Sequence, residues 1–190
     1  MRMYNGKAMI NSVNGKQSSM NEVFPLVQKY GGVVVCLCLD ENGIPETAKG
    51  RIAIAEKIIK TAESYGIDKK DLVVDALVMT ISTNKDNAKE TLKAVEYIRH
   101  ELGVGTVLGV SNISFGLPKR EAINTAFFTL ALKAGLSAGI INPLSESMMN
   151  AYYSYNALEG FDDNCTEYIE SVTQSANNNA SSGVTDLKTA

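Results

Sequence analysis

The sequence predicts an α/β fold of the (β/α)8 TIM-barrel type, with the C-terminal five βα units of such a barrel present in this chain. Three observations carry that reading. Five short, nearly continuous apolar runs recur, as expected of strands buried on both faces of a parallel sheet. Each run is followed by a stretch with apolar residues at helical spacing. The ends of the runs fall near positions 11, 39, 75, 110 and 142, close to the ~30-residue period of a βαβ unit. No Gly-x-Gly-x-x-Gly follows the first run, which weighs against a dinucleotide-type doubly wound sheet.

The first strand is expected at Ala8 to Asn11, followed by a helix from Met20 to Tyr30 with Val23, Leu26 and Val27 on its apolar face. The second strand spans Val33 to Leu39. Its helix runs from Thr47 to Tyr65 with Ile52, Ala55, Ile58, Ile59 and Ala62 inward, and stops at Gly66, where a helix-terminating glycine belongs. Leu72 to Asp75 is the third strand, and Asp86 to Leu102 its helix, carrying Ala88, Leu92, Ala94, Val95 and Ile98. Thr106 to Val110 is the fourth; a helix follows Pro118 and runs to Ala134, stopped by Gly135. Ala138 to Asn142 is the fifth, with a last helix from Ser145 to Leu158.

Five units are not eight, and the chain opens almost directly on a strand. About three units are therefore expected to be missing at the N-terminus, which makes the sequence read as a fragment. Positions 1–160 are read as the partial barrel, 161–185 as a C-terminal helix and polar, Asn/Ser-rich linker, and 186–190 as the start of a further module. An open five-stranded segment exposes sheet edges, which a homodimer or a separate N-terminal partner would cover.

Composition narrows the function classes. The 190 residues carry 18 basic and 21 acidic side chains, a net charge of −3, which offers no basic surface for nucleic acid or an anionic membrane. No apolar run approaches the ~20 residues of a spanning helix, and the first residues lack the apolar core of a signal peptide. Three cysteines make no disulfide framework, so the expected compartment is the cytoplasm. A single histidine, His100, limits both zinc and imidazole chemistry, and its place near a helix end suits the helix dipole. Cys36 and Cys38 face the same way on a strand, yet nothing nearby completes a tetrahedral metal site, so they are read as core thiols and no metal is expected.

In such a barrel the site forms at the C-terminal strand ends. Those positions supply Asn11, Ser12 and Asn14; Asp40, Glu41 and Asn42; Asp75; Ser111, Asn112 and Ser114; and Asn142. Amides and hydroxyls dominate. Such a mouth suits a flat, neutral heterocycle with several donors and acceptors, whereas a phosphate would call for a Gly-rich turn or clustered Lys and Arg. Asp75 can accept two parallel hydrogen bonds from an amino-pyrimidinone edge, or it can instead cap a turn. Asn112, Asn11 and Asn14 carry the same two readings, since asparagine also shapes loops. Lys119 and Arg120 beside the mouth are read as solvated surface, and Met148, Met149, Tyr152, Tyr153 and Tyr155 as packing of the last helix.

Four segments carry a more specific signal: Met9 to Gly15 (MINSVNG), Asp75 to Val78 (DALV), Thr106 to Pro118 (TVLGVSNISFGLP) and Ile140 to Pro143 (IINP). Together they resemble the pterin-binding module of the cobalamin-dependent methionine synthase family, a (β/α)8 barrel of the dihydropteroate synthase superfamily. The likeness covers most of positions 5–160 in the same order, and the SNISFGLP loop is its most specific part. The resemblance implies 5-methyltetrahydrofolate as methyl donor and cob(I)alamin, held on another domain in cis or in trans, as acceptor. It implies that Asn11, Asp75 and Asn112 hold the pterin, with Asn14, Ser111, Ser114 and Asn142 completing the substrate-binding set. Positions 186–190 would then open a cap of the cobalamin module.

The chemistry agrees with that implication. Tetrahydrofolate leaves badly from a methyl group unless N5 gains a proton. Asn112, as the catalytic residue, would hydrogen-bond near N5 and favour its charged form as it develops. An amide is no proton source, so the proton is expected from solvent or bound water. The nearest rival is the methyltransferase that serves a corrinoid iron–sulfur protein. A more distant one is dihydropteroate synthase, whose Ser-x-Arg-Val-His type of last strand differs from Ile140-Ile141-Asn142-Pro143. A third is a folate-binding fragment without turnover.

Overall fold

The structure, a computed structural model, describes residues 4–173. Five strands, β1 (Met9–Asn14), β2 (Val33–Leu37), β3 (Leu72–Asp75), β4 (Gly105–Gly109) and β5 (Ala138–Ile140), alternate with five helices. These are α1 (Gln17–Tyr30), α2 (Ala48–Ser64), α3 (Asn87–His100), α4 (Arg120–Lys133) and α5 (Glu146–Leu158). The sheet order is β1-β2-β3-β4-β5, and every pair is parallel. Each crossover steps one position in the same direction, so right-handed connections place all the helices on one face. That is the winding of a TIM-type barrel. Among the described residues the sheet is open, with β1 and β5 at its edges.

Side chains of paired residues share a face, and successive residues alternate. Val34, Cys36, Leu72, Val74, Thr106 and Leu108 form the helix-facing set, all at most 1% exposed. With Met20, Phe24, Ala55, Ile58, Ala94, Ile98, Phe127 and Phe128 they make one core. Burying each large apolar side chain contributes about 1.5–3 kcal/mol, so the layer between sheet and helices dominates stability. The other set, Val35, Leu37, Val73, Asp75, Gly105 and Val107, faces the barrel interior.

Strand boundaries differ from expectation where the strands meet the mouth. β1 continues to Asn14 because a register shift at Ser12 absorbs one residue: Asn11 pairs with Val35, Val13 with Cys36 and Asn14 with Leu37. Such a bulge re-aims the residues beyond it. Asn11 and Asn14 are three apart and would face opposite ways in a regular strand; here both align with inward residues of β2. β4 stops at Gly109, and Val110–Ser114 forms a 3-10 turn instead of more strand. In α2 the inward row passes through Ala48, Arg51, Ala55, Ile58 and Ala62, so Arg51 lies fully in the core while Ile52 is only partly buried.

Met148 is buried, Tyr152 packs on the core and Tyr155 donates to the Leu132 carbonyl, which fastens α5 to α4. Cys36 and Cys38 are buried thiols, and burial pushes Cys36 up to about 12. Residues 166–173 are helical, with the Asp162 carboxylate accepting from the Glu167 and Tyr168 amides at 3.0 Å. The expected linker beyond 173 and the expected cap at 186–190 lie outside the described residues. Among the described residues no helix is long and apolar enough to cross a membrane.

Gly15 closes the β1 turn against α2. Its amide donates to the Leu39 carbonyl at 2.7 Å, and its carbonyl accepts from Lys57 Nζ at 2.6 Å. A Cβ there would sit 2.7 Å from Ile54 Cγ2 and 2.9 Å from the Leu39 carbonyl oxygen. Backbone cannot yield as a flexible side chain does. Gly15→Ala is expected to destabilise the fold by about 1–3 kcal/mol, read as a lower urea midpoint with an unchanged m-value.

Candidate functional site

The parallel register sets two rows of inward side chains at the C-terminal end of the sheet. One holds Asn11, Val35, Val73 and Gly105; the next holds Asn14, Leu37, Asp75, Val107 and Ala138. Valines and a leucine thus form an apolar floor around Asp75. Desolvation on that floor pushes the Asp75 carboxyl up to about 6, partly opposed by a hydrogen bond from the Leu77 amide to Oδ1 at 2.8 Å. Oδ2 has no partner among the described residues. Of the two readings open in the sequence, turn-capping is made by Oδ1 alone.

Asn112 lies on the 3-10 turn after β4. Its side chain folds toward the strand end: a Cβ at position 109 would meet Asn112 Nδ2 at 3.2 Å, so Gly109 leaves the room that the amide occupies. The side chain is exposed and makes no hydrogen bond among the described residues. Asn11 and the Ser111 hydroxyl are likewise unengaged, although the Ser111 carbonyl accepts from Arg120 Nη2 at 2.7 Å.

The other sequence candidates are committed to the scaffold. Asn14 Oδ1 accepts from the Lys16 amide at 3.0 Å, and Asn142 Oδ1 from the Leu144 amide at 3.0 Å, each an Asx turn that opens a loop. Ser114 is fully buried; its hydroxyl donates to Asn124 Oδ1 at 2.7 Å and accepts from Arg120 Nε at 3.0 Å. Arg120 stays exposed, yet its guanidinium braces this loop from α4 rather than standing free in solvent. A cleft of about 260 Å³ opens between the ends of β4 and β5, lined by Ser111, Arg120, Glu121, Asn124, Asn142, Ser145 and Met148. It adjoins the candidate set through Ser111 and Asn142 and excludes Asn11 and Asp75, which sit on the open sheet face.

Two features escaped the sequence reading. Thr80 and Ser82, in the loop after β3, both donate to the Phe115 carbonyl, at 2.7 and 3.0 Å, and the Ile81 amide donates to Ile113. The loop carrying Asp75 is thereby latched to the loop carrying Asn112. The second feature is Arg51, buried beneath the turn that comes after Asp75. Its signal was present, since residues 48, 51, 55, 58 and 62 follow one helical stripe.

Known proteins resemble this chain over most of its length. The model of a family described as pterin binding enzyme matches residues 2–142. The methylcorrinoid:tetrahydrofolate methyltransferase of Eubacterium limosum is 29% identical over 171 residues, covering 87% of this chain and 62% of that protein. The methionine synthase of Mycobacterium tuberculosis is 34% identical over 76% of this chain and 13% of its own length. The chain therefore spans less than two thirds of these relatives. Among solved structures, dihydropteroate synthase from Xanthomonas albilineans in complex with 7,8-dihydropteroate superposes with a TM-score of 0.55 at 19% identity, over 72% of this chain and 54% of that one. That likeness shows the fold.

The raised Asp75 pKa makes stability depend on pH. The folded chain holds this proton more tightly than the unfolded chain, so the contribution is full below the ordinary carboxylate pKa of 3.8 and is lost as pH rises through about 6. Asp75→Asn keeps an oxygen for the Leu77 amide and removes the charge. At pH 8 the variant is expected to be more stable than the parent by up to about 3 kcal/mol, and at pH 3 the two should nearly coincide. Urea unfolding at both pH values measures the difference; equal stabilities at pH 8 would contradict the desolvated setting.

Proposed function

The chain belongs to the pterin-binding enzyme family, and on that premise we propose that it holds a tetrahydrofolate at its strand ends and exchanges the N5 methyl group with a corrinoid carried by another domain or protein. The observation that carries this reading is the set of uncommitted polar groups, Asn11, Asp75 Oδ2, Ser111 and Asn112, around an apolar floor. A pterin has a flat ring for such a floor and an amino-pyrimidinone edge for a carboxylate.

Asp75 acts as its anion. Oδ2 accepts from the donor edge of the pterin while Oδ1 keeps its bond to Leu77, which fixes the ring's in-plane orientation. Asn112, across the mouth, places an amide oxygen where a protonated N5 can donate to it. When the N5–methyl bond breaks, its electron pair stays on N5, and the proton already there leaves neutral tetrahydrofolate. The proton comes from solvent, since Asn112 has none to give and the only histidine, His100, is at the end of α3. A reduced corrinoid on its own domain or protein would supply the nucleophile for the methyl group, while Asp75 and Asn112 would hold the folate. The residues present fit a folate; the corrinoid would be held elsewhere.

The similarity to methionine synthases supports the donor and acceptor expected from the sequence, 5-methyltetrahydrofolate and cob(I)alamin, in methionine synthesis. One observation favours a second reading. The match to the E. limosum methyltransferase extends over more of this chain, 87% against 76%, which supports a separate corrinoid protein as partner and exchange in either direction. Titration with 5-methyltetrahydrofolate, followed by methyl exchange with cob(I)alamin alone and on each type of carrier protein, separates these readings. It is run on the 190-residue chain and on a closed barrel restored by placing further βα units ahead of it. A restored barrel that binds no folate overturns the proposal.

Two outcomes are expected from the residue roles. Because only ionised Asp75 accepts both donors, folate affinity is expected to fall about tenfold per pH unit below about 6 and to level off above it. Asn112→Ala is expected to lower kcat by about 100-fold with little change in KM, since its bond strengthens as N5 acquires charge. At saturating folate, a kcat that fell as an enzyme group other than Asp75 lost its proton would reject solvent as the proton source.

A further inference from the structure

Arg51 is the largest fully buried side chain among the described residues, and it sits in the first turn of α2. None of the ion pairs among the described residues includes it. Burial lowers its pKa, with only Cys38 and Glu90 acting to raise it. A lone cation in a core is unfavourable unless its N–H groups are well used. Here they collect acceptors from three segments. Nε donates to the Pro45 carbonyl at 2.9 Å; Nη1 donates to the carbonyls of Ala76 at 3.3 Å and Leu77 at 2.9 Å, and to Thr91 Oγ1 at 2.7 Å. Nη2 has no partner.

Leu77 is the informative neighbour. It has a φ of 62°, in the left-handed region that a residue with a Cβ adopts only when its surroundings hold it there. The Ala76–Leu77 peptide is held from both ends, its carbonyl accepting from Arg51 Nη1 at 3.3 Å and its amide donating to Asp75 Oδ1 at 2.8 Å, while the left-handed Leu77 brings its own carbonyl onto the same Nη1 at 2.9 Å. Both backbone polar groups of Leu77 are thus engaged: its carbonyl by Arg51, its amide by Asp75.

We propose that Arg51 is a positioning residue for the pterin site, which clamps the Ala76–Leu77 peptide and the left-handed turn at Leu77, and so the amide that fixes the Asp75 carboxylate. The inference rests on the reading of Asp75 as the carboxylate that receives the pterin. An apolar residue of similar volume would fill the same space without reaching the loop after β2, the turn after β3 and α3 together. Arginine's fork does so, and this accounts for a buried charge with no counter-ion.

The test has a direct arm and a functional arm, both on the full chain. In the direct arm, NMR follows the Leu77 amide as pH passes through about 6. In the parent this amide is protected and its shift tracks the ionisation of Asp75. In Arg51→Met it should lose protection and stop tracking while the β2 and β3 amides stay protected. In the functional arm, Arg51→Met should weaken 5-methyltetrahydrofolate binding by about tenfold or more. Adding Leu77→Gly, which removes the penalty of the left-handed conformation, should recover much of that loss. A merely structural arginine gives no such rescue. If Arg51→Met fails to fold, Arg51→Lys stands in its place. Its single ammonium cannot span all four acceptors, so the same uncoupling of Leu77 is expected. A Leu77 amide that still tracks Asp75 in either variant overturns the proposal. Should the parent bind no folate, the reading of the site fails, and the NMR arm still decides whether Arg51 sets the Leu77 turn.

Discussion

Val34 lies opposite Leu72 and Leu37 opposite Asp75, and this pairing register between β2 and β3 is what the rest of the molecule depends on. Strand side chains alternate with a period of two, so a slip of one residue would turn Asp75 into the helices and Val74 into the barrel interior. The helix layer forbids the slip. Leu72, Val74, Cys36 and Leu108 are packed to at most 1% exposure in the core shared with the helices. A slip of β3 would put Asp75 among them and bury a carboxylate without a partner, at a cost of several kcal/mol. Core packing and site chemistry are thus two faces of one sheet.

The inward face carries a tension that the outward face does not. Its floor is apolar enough to desolvate Asp75, and its mouth is open enough to leave one carboxylate oxygen free. Desolvation makes the ionised form of Asp75 more costly than it is in water. A hydrogen-bond donor brought to Oδ2 would offset part of that cost. Sites in other proteins are tuned in the same physical way, by environment rather than by residue type.

Much of this was legible in the sequence, for identifiable reasons. Fully apolar strands and 3.6-residue stripes are strong signals, so the order of elements, their repeat and the barrel type were readable from residues such as Val33 to Leu37 and Ile54 to Ala62. The strand ends that carry Asp75 and Asn112 were readable too, because a barrel puts its polar residues there. What stayed hidden was decided by contacts between segments distant in sequence. The bulge at Ser12 is visible only in the pairing of β1 with β2. Arg51 falls on the inward stripe of α2, but the acceptors that let a cation lie there are seen only when Ala76, Leu77 and Thr91 arrive from 25 to 40 residues away. Asn14, Ser114 and Asn142 could not be told from Asn11, Ser111 and Asn112 by residue type, because the difference is whether a local backbone amide or a neighbouring side chain has already taken the oxygen.

That division also bears on Asn112. Its loop is held on one side by Thr80 and Ser82 at the Phe115 carbonyl, and on the other by Arg120 at the Ser111 carbonyl and the Ser114 hydroxyl. Neighbours on both sides carry the structural hydrogen bonds, so the loop keeps its shape without using the Asn112 side chain. Asparagine in a turn ordinarily spends its oxygen on a nearby backbone amide, as Asn14 and Asn142 do. An asparagine released from that duty, on a loop braced from two directions and folded over a glycine that makes room for it, presents both halves of its amide in a fixed place. Among the described residues nothing takes either half.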